Sequence, residues 1–226
     1  MAERYIPALR FQALTALYDP LLALVLREQA WKARLVDQVA LAPGMRALDL
    51  GCGTGTLTLL LARSCPEASV VGLDGDPDVL ERARRKAGAQ GVGVQFVEGL
   101  ADEPPFPPGS FDRVVSSLLF HHFTTDGKLR ALRAARGLLV PGGELHVADW
   151  GSPHGSLMRL AFLGVQLLDG FETTGDNVRG MLPRLIERAG FTDVRETHRR
   201  RTVFGTLALL SAVVPSEAGG PDAFGG

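Results

Sequence analysis

Asp49-Leu50-Gly51-Cys52-Gly53-Thr54-Gly55 is the stretch whose reading decides the fold. An apolar, β-prone lead-in, Met45-Arg46-Ala47-Leu48, carries an acid to its end. Three alternating glycines then turn the chain into a helix-like run, Thr56-Leu57-Thr58-Leu59-Leu60-Leu61-Ala62. Glycines belong there because a tight turn needs backbone angles that side chains forbid, and because a ligand must approach the backbone closely. The turn also aims the free N–H groups of a helix start at that ligand. Asp49 separates the possibilities. A pyrophosphate-binding loop has little use for a carboxylate at its mouth, whereas a ligand carrying an ammonium group does.

Outward from this loop, strand-like and helix-like segments alternate. Strands are expected at 46–50, 69–74, 94–98, 111–117 and 144–149, with helices at 55–64, 77–90 and 125–139 between them. Such alternation means a parallel sheet covered by helices on both faces. Pro141-Gly142-Gly143 reads as a turn into the fifth strand. Beyond Asp149 the rhythm changes: an apolar helix over 156–170, a more polar one over 177–189, then strands at 191–199 and 202–214 as an antiparallel pair closing the sheet edge. Upstream, 9–17 and 21–39 carry helical spacing, broken at Tyr18-Asp19-Pro20. The expected organisation is an N-terminal helical cap (1–42), a core (43–214) with a helical insertion (151–180), and a disordered tail (215–226).

The bulk numbers agree with one α/β domain. A chain of 226 residues, 46% hydrophobic and 22% charged, holds one sizeable core but not two. Net charge is −1, so no global field recruits nucleic acid or an anionic membrane. The start, Met1-Ala2-Glu3-Arg4-Tyr5-Ile6-Pro7, lacks a secretory pattern, and no stretch approaches the roughly 20 apolar residues of a bilayer span. With Cys52 and Cys65 as the only cysteines, a reducing cytoplasm is the expected compartment. No His/Cys/carboxylate grouping has metal-ligand spacing, so no metal is expected.

Several motifs recur in order: Asp49 to Gly55, Leu73-Asp74, Phe106-Pro107-Pro108-Gly109-Ser110-Phe111-Asp112, His121-His122 and Leu139-Val140-Pro141-Gly142-Gly143. As a set, over roughly residues 14–214, the chain resembles the class I S-adenosylmethionine-dependent methyltransferases. The branch it looks most like includes the ubiquinone/menaquinone-biosynthesis C-methyltransferases. The resemblance implies a Rossmann-like, seven-stranded, mostly parallel sheet with an antiparallel last strand, and S-adenosyl-L-methionine as cofactor. It places Asp49 on the cofactor's ammonium and Gly51, Cys52, Gly53 and Gly55 along its methionine and ribose parts. Asp74 and Gly75 fall at the ribose diol, Val79 against the adenine ring, and Ser116 and Ser117 at the methionine part. Leu100 and Ala101 fall at the adenine end. There the chain departs from the pattern: relatives read glycine, aspartate, alanine, and this sequence has Gly99-Leu100-Ala101-Asp102. Asp102, the Ala101 backbone or a water is the expected substitute acceptor.

At the acceptor side, His121 or His122 is a candidate base or hydrogen-bond donor, and Asp149 a carboxylate that orients the acceptor. Packing alone is the competing reading for all three. Trp150, Tyr18 and His154 are candidates to cover the substrate or cap the cleft. His198-Arg199-Arg200-Arg201 is expected at a hairpin turn, either as a solvated turn or as an anion or lipid-headgroup site. Arg82, Arg84, Arg85 and Lys86 are expected on the wet face of a helix.

Methyl transfer is an in-line displacement, so alignment and exclusion of water are the protein's main contributions, and no catalytic triad need be visible. The apolar cap and insertion suit a small apolar or aromatic acceptor rather than a protein or nucleic acid. Monomer and homodimer both remain open. The alternatives are a cofactor-binding protein without catalysis and a nicotinamide-dependent oxidoreductase on a similar βαβ unit.

Overall fold

In the computed structural model, residues 28–153, 155, 171–202 and 205–216 are described. The expected helices at 9–17 and 156–170, Tyr18, His154 and the tail beyond 216 lie outside them. Strands β1 (Arg46–Leu50), β2 (Ser69–Asp74), β3 (Gln95–Glu98), β4 (Phe111–Ser117), β5 (Leu139–Trp150), β6 (Thr192–Thr202) and β7 (Gly205–Val213) form one sheet in the order β3-β2-β1-β4-β5-β7-β6. β1 pairs in parallel with β2 and β4, β2 with β3, and β4 with β5, whereas β7 runs antiparallel to both β5 and β6. The strand order reverses between β1 and β4, the place where open α/β sheets bind ligands beyond their carboxyl ends.

The helices are α1 (Glu28–Val39), α2 (Thr56–Ser64), α3 (Pro77–Ala89), α4 (Thr125–Leu138), α5 (Phe171–Val178) and α6 (Leu182–Arg188). Strand alternation sorts side chains between two layers. Leu48, Val114, Val147 and Leu210 join the core built with α4 and α6, including Leu132, Leu185 and Ile186. Their neighbours Ala47, Val115, Ala148 and Leu209 join the opposite core with Trp31, Leu35, Leu57 and Leu61 of α1 and α2. Local signals set the helix ends. Asp76 caps α3 by accepting from the Asp78 and Val79 amides (2.9 and 3.2 Å), with Pro77 in the first turn. Thr124 caps α4 through the Gly127 amide.

Three expectations are corrected. Residues 177–189 are not one helix: α5 and α6 are separated by a turn at Gly180 (φ +67°), and Pro183 lies in the first turn of the second. β5 begins at Leu139, directly after α4. Its Pro141-Gly142-Gly143 segment is a bulge, where the pairing jumps from Phe111–Leu139 to Arg113–Glu144 and the Gly142 amide bonds the Val214 carbonyl. The basic run 198–201 lies within β6, not at its turn, and the β6–β7 connection falls after Thr202.

Candidate active site

The glycine loop is held from below and open above. The Gly51 and Cys52 amides both donate to the Leu73 carbonyl (2.8 and 2.9 Å), tying the loop to the end of β2. Gly51 has φ +72°, and a Cβ there would lie 2.7 Å from Leu119. Gly53 (φ +53°) has nothing within 4 Å of where its Cβ would be, so its outer side faces open space. Lys86 of α3 donates to the Thr54 and Thr56 hydroxyls at 3.0 and 2.9 Å, and Arg84 donates to the Phe96 carbonyl. Lys86 is half-buried and so leaves the expected wet face, whereas Arg84 stays exposed on it. Cys52 is buried, and desolvation followed by the charges of Asp49 and Asp74 pushes its thiol up, so it is an unreactive wall residue.

Two acids flank the loop. Asp74 accepts from the Gly53 amide through Oδ2 (2.8 Å) and from the Asp76 amide through Oδ1 (3.1 Å). Each oxygen keeps further acceptor capacity for a neighbouring diol. Burial raises the Asp74 pKa against those backbone bonds. Asp49 is fully buried on the α1–α2 face of the sheet. Its Oδ2 accepts from the Thr58 hydroxyl at 2.7 Å, and its Oδ1 is buried without a hydrogen-bond partner. Desolvation lifts the carboxyl to about 6 despite the Thr58 bond and the Lys32 charge. A buried carboxylate oxygen with no donor is costly unless a ligand supplies one.

At the far end, Leu100 is 45% exposed, an unusual position for a leucine beside a ligand loop. The Asp102 carboxylate pairs with Arg130 Nε through Oδ2 at 3.1 Å. Ala101 packs against the main core.

A third group lies across the carboxyl edge. Leu118 takes the left-handed conformation (φ +54°) after β4, uncommon for a leucine, and turns the chain into the 3₁₀ segment Phe120–His122. Asp149 Oδ2 accepts from the Phe120 and His121 amides (2.8 and 3.3 Å), and its Oδ1 lies 2.8 Å from His121 Nδ1. The Trp150 amide donates to Oδ1 as well (2.7 Å). Burial works to raise the Asp149 pKa, but His121 and the Trp150 amide outweigh it and hold the carboxylate ionised. Nδ1 of His121 is thus the donor, which makes Nε2 its basic nitrogen. The His122 ring stacks 4.0 Å from that of His121, and burial with the His121 and Lys128 charges pushes it down to about 3. His122 is therefore neutral. Ser116 is buried and donates to the Leu50 carbonyl (2.9 Å), so its hydroxyl braces β1 against β4, while Ser117 is half-buried beyond it.

Two residues that sequence reasoning missed complete this group. Asn177 donates to the Trp150 carbonyl (2.8 Å) and approaches Asp149 Oδ1 (3.4 Å), linking α5 to the end of β5. Lys128, fully buried, donates to the Phe123 and Thr173 carbonyls at 2.6 Å each and lies 3.7 Å from Asp176. Burial lowers its pKa against the pull of Asp176. A cavity of about 140 Å³ between Asp149, Asn177, Leu182 and Arg199 is smaller than the roughly 300–1,000 Å³ of small-molecule sites. Among the described residues no group of His, Cys, Asp and Glu has the geometry of a metal site.

Comparison with known proteins decides the family. A methyltransferase domain model matches residues 47–143, from β1 to the β5 bulge. An uncharacterized methyltransferase of Synechocystis is 34% identical over 161 residues, which are 71% of this chain and 73% of that protein. The chain belongs to the class I S-adenosylmethionine-dependent methyltransferases. Demethylmenaquinone methyltransferase of Thermus thermophilus is 42% identical over 123 residues, 54% of this methyltransferase and 55% of the relative. The match thus spans about half of the Thermus protein's length. A methyltransferase structure from Aquifex aeolicus superposes with a TM-score of 0.66 at 17% identity, covering 93% of this chain and all of that one, and so shares the fold.

Family membership disfavours the nicotinamide-dependent alternative. The residues present also fit S-adenosylmethionine: a buried orphan oxygen on Asp49 suits a cation, and the open side of Gly53 leaves room over the loop. Of the residues singled out from sequence, the methyltransferase brings Asp49, Gly51, Cys52, Gly53 and Gly55 to one side of the carboxyl edge, with Asp74, Gly75 and Val79 beside them. His121, His122, Asp149 and Trp150 gather on the other side.

Proposed function

We propose that this methyltransferase moves the methyl group of S-adenosylmethionine onto a small apolar or aromatic acceptor. The observation that carries the cofactor assignment is the buried, unpartnered Oδ1 of Asp49, poised for an ammonium group. Asp74 would take the ribose hydroxyls, with Val79 and Leu100 on either side of the adenine. Gly51, Cys52 and Gly53 would run under the methionine and ribose parts, and Gly75, Ala101 and Ser117 would complete the wall. When bound, S-adenosylmethionine supplies a methyl carbon activated by positive sulfur.

On the acceptor side, Asp149 fixes the His121 ring through Nδ1, and Nε2 receives the proton of the acceptor. A hydroxyl-bearing aromatic ring becomes a strong oxygen or ring-carbon nucleophile on losing that proton. The Thermus relative's name, demethylmenaquinone methyltransferase, favours an acceptor of this kind. Trp150 would cover it, and His122, held neutral, adds no charge to the cleft.

The test is product formation. The enzyme is incubated with S-adenosylmethionine and a panel that includes reduced, demethylated naphthoquinones, and mass spectrometry follows S-adenosylhomocysteine and the methylated product. A product heavier than its acceptor by about 14 mass units, a CH₃ in place of an H, and lost in His121→Ala, is the expected result. Cofactor binding without any product from the panel or from cell extract would overturn it.

A further inference from the structure

The basic strand β6 borders the reaction edge. Ala208 of β7 pairs with both Asp149 and Arg199, and Leu207 pairs with both Trp150 and Arg200. Arg199–Arg201 therefore lie level with the Asp149–Trp150 end of β5, two strands away, or about 10 Å across the sheet. β6 is the edge strand. Its charges are not balanced. Arg195 pairs with Asp193, and Arg199 with Glu196. Arg200 and Arg201 have no carboxylate partner among the described residues. From α1, Arg34 reaches His198 Nδ1 at 3.3 Å, so Arg34, His198 and Arg200 converge on one face. His198 accepts from Arg34 and is neutral, and the charges of Arg34 and Arg200 on either side of it repel unless an anion joins them.

We propose that this edge docks on an anionic lipid surface and holds the reaction cleft toward the bilayer. The proposal rests on the reading of the acceptor as apolar. An apolar acceptor collects in the lipid phase, yet among the described residues no helix is long and apolar enough to cross a membrane. A peripheral enzyme must meet its acceptor at the surface, with the cleft and the docking face on the same side, as β5 and β6 are. The net charge of −1 keeps the attraction local to this edge rather than spread over the molecule, which favours a flat charged surface over a wrapped polyanion. Basic side chains near an anionic leaflet each strengthen binding about fivefold and lose that effect within a Debye length.

The experiment is co-sedimentation of the full chain with vesicles of phosphatidylcholine alone or mixed with phosphatidylglycerol, at low and high salt. The protein is expected on the mixed vesicles and not on the neutral ones, with release by salt. The double variant Arg200→Gln/Arg201→Gln is expected to bind the mixed vesicles about 25-fold more weakly, from about fivefold per charge. Its affinity for S-adenosylhomocysteine, measured in parallel, is expected to be unchanged. Absence of sedimentation with both vesicles, or equal binding by the double variant, overturns the proposal. Tighter binding to a single-stranded oligonucleotide than to vesicles at matched salt overturns it in favour of nucleic acid. Failure of the methyl-transfer reading would show instead as lost S-adenosylhomocysteine binding or absent product, with vesicle binding intact.

Discussion

Asp49→Asn separates the cost of the cofactor site from its use. Burial lifts the Asp49 carboxyl from 3.8 to about 6. That gap corresponds to about 3 kcal/mol of destabilisation once the carboxyl is ionised. The sign follows from proton counting. Between pH 3.8 and about 6 the folded protein holds the proton more tightly than the unfolded chain, so stability falls as pH rises and is level above. Asparagine cannot ionise, and its oxygen can still accept from the Thr58 hydroxyl, while its amide replaces the orphan Oδ1. Unmet amide hydrogens there return about 1–2 kcal/mol. The net gain for the unliganded protein above the folded pKa is then about 1–2 kcal/mol. For a domain of this size that raises the melting temperature by about 2–8 °C. Binding moves the other way. An ammonium deprived of its carboxylate loses about 2–3 kcal/mol, or roughly 30- to 150-fold in affinity for S-adenosylhomocysteine. Differential scanning calorimetry on both sides of the folded pKa, with and without S-adenosylhomocysteine, reads both effects. A variant that melts lower without ligand, or binds as tightly as the parent, would refute the reasoning.

Other substitutions probe the rest of the edge. Leu100→Asp is expected to tighten S-adenosylhomocysteine binding by roughly fivefold, about 1 kcal/mol for one regained hydrogen bond, in calorimetry; a weaker variant would mean a pocket built around leucine. Asp149→Asn removes the charge that orients His121, so turnover should fall by about a hundredfold or more at near-constant S-adenosylmethionine affinity, and equal turnover would place the pair outside the chemistry. His122 is expected to stay neutral well below pH 6.5 in an NMR titration, so stability rises with pH between its folded value of about 3 and 6.5. A ring that titrates near 6.5 would contradict its burial. Lys128→Met leaves the Phe123 and Thr173 carbonyls without their donor and Asp176 with only the exposed Arg179 as cation, and is expected to cost about 3 kcal/mol in chemical denaturation, whereas an unchanged midpoint would show that α5 is held by other contacts.

Much of this architecture is legible in the chain because glycine and strand alternation report on local geometry. β1, β2 and β4 fall on the expected bounds, residue for residue, and α3 and α4 differ at one end by a single residue. Asp49 and Asp74 were recognisable because each closes a strand beside the loop. Contacts across layers leave no such mark. Lys128 sits in a polar turn, Asp126-Gly127-Lys128, that reads as solvent-facing, and α5 packing over it makes it buried. The Asn177 side-chain amide bonds reach back 27 and 28 residues, to Trp150 and Asp149. Strands expected at 191–199 and 202–214 put the basic run at their connection, whereas pairing with β7 extends the strand through it. Leu118 shows the same limit, since nothing in its type announces a left-handed backbone.

The account turns on the buried orphan oxygen of Asp49 and the diol-ready Asp74, and one titration tests both. Isothermal calorimetry of the protein with S-adenosylmethionine, S-adenosylhomocysteine and NAD in turn is expected to show one site that takes both sulfur nucleosides and ignores NAD. Binding of NAD with none of S-adenosylhomocysteine would contradict the account.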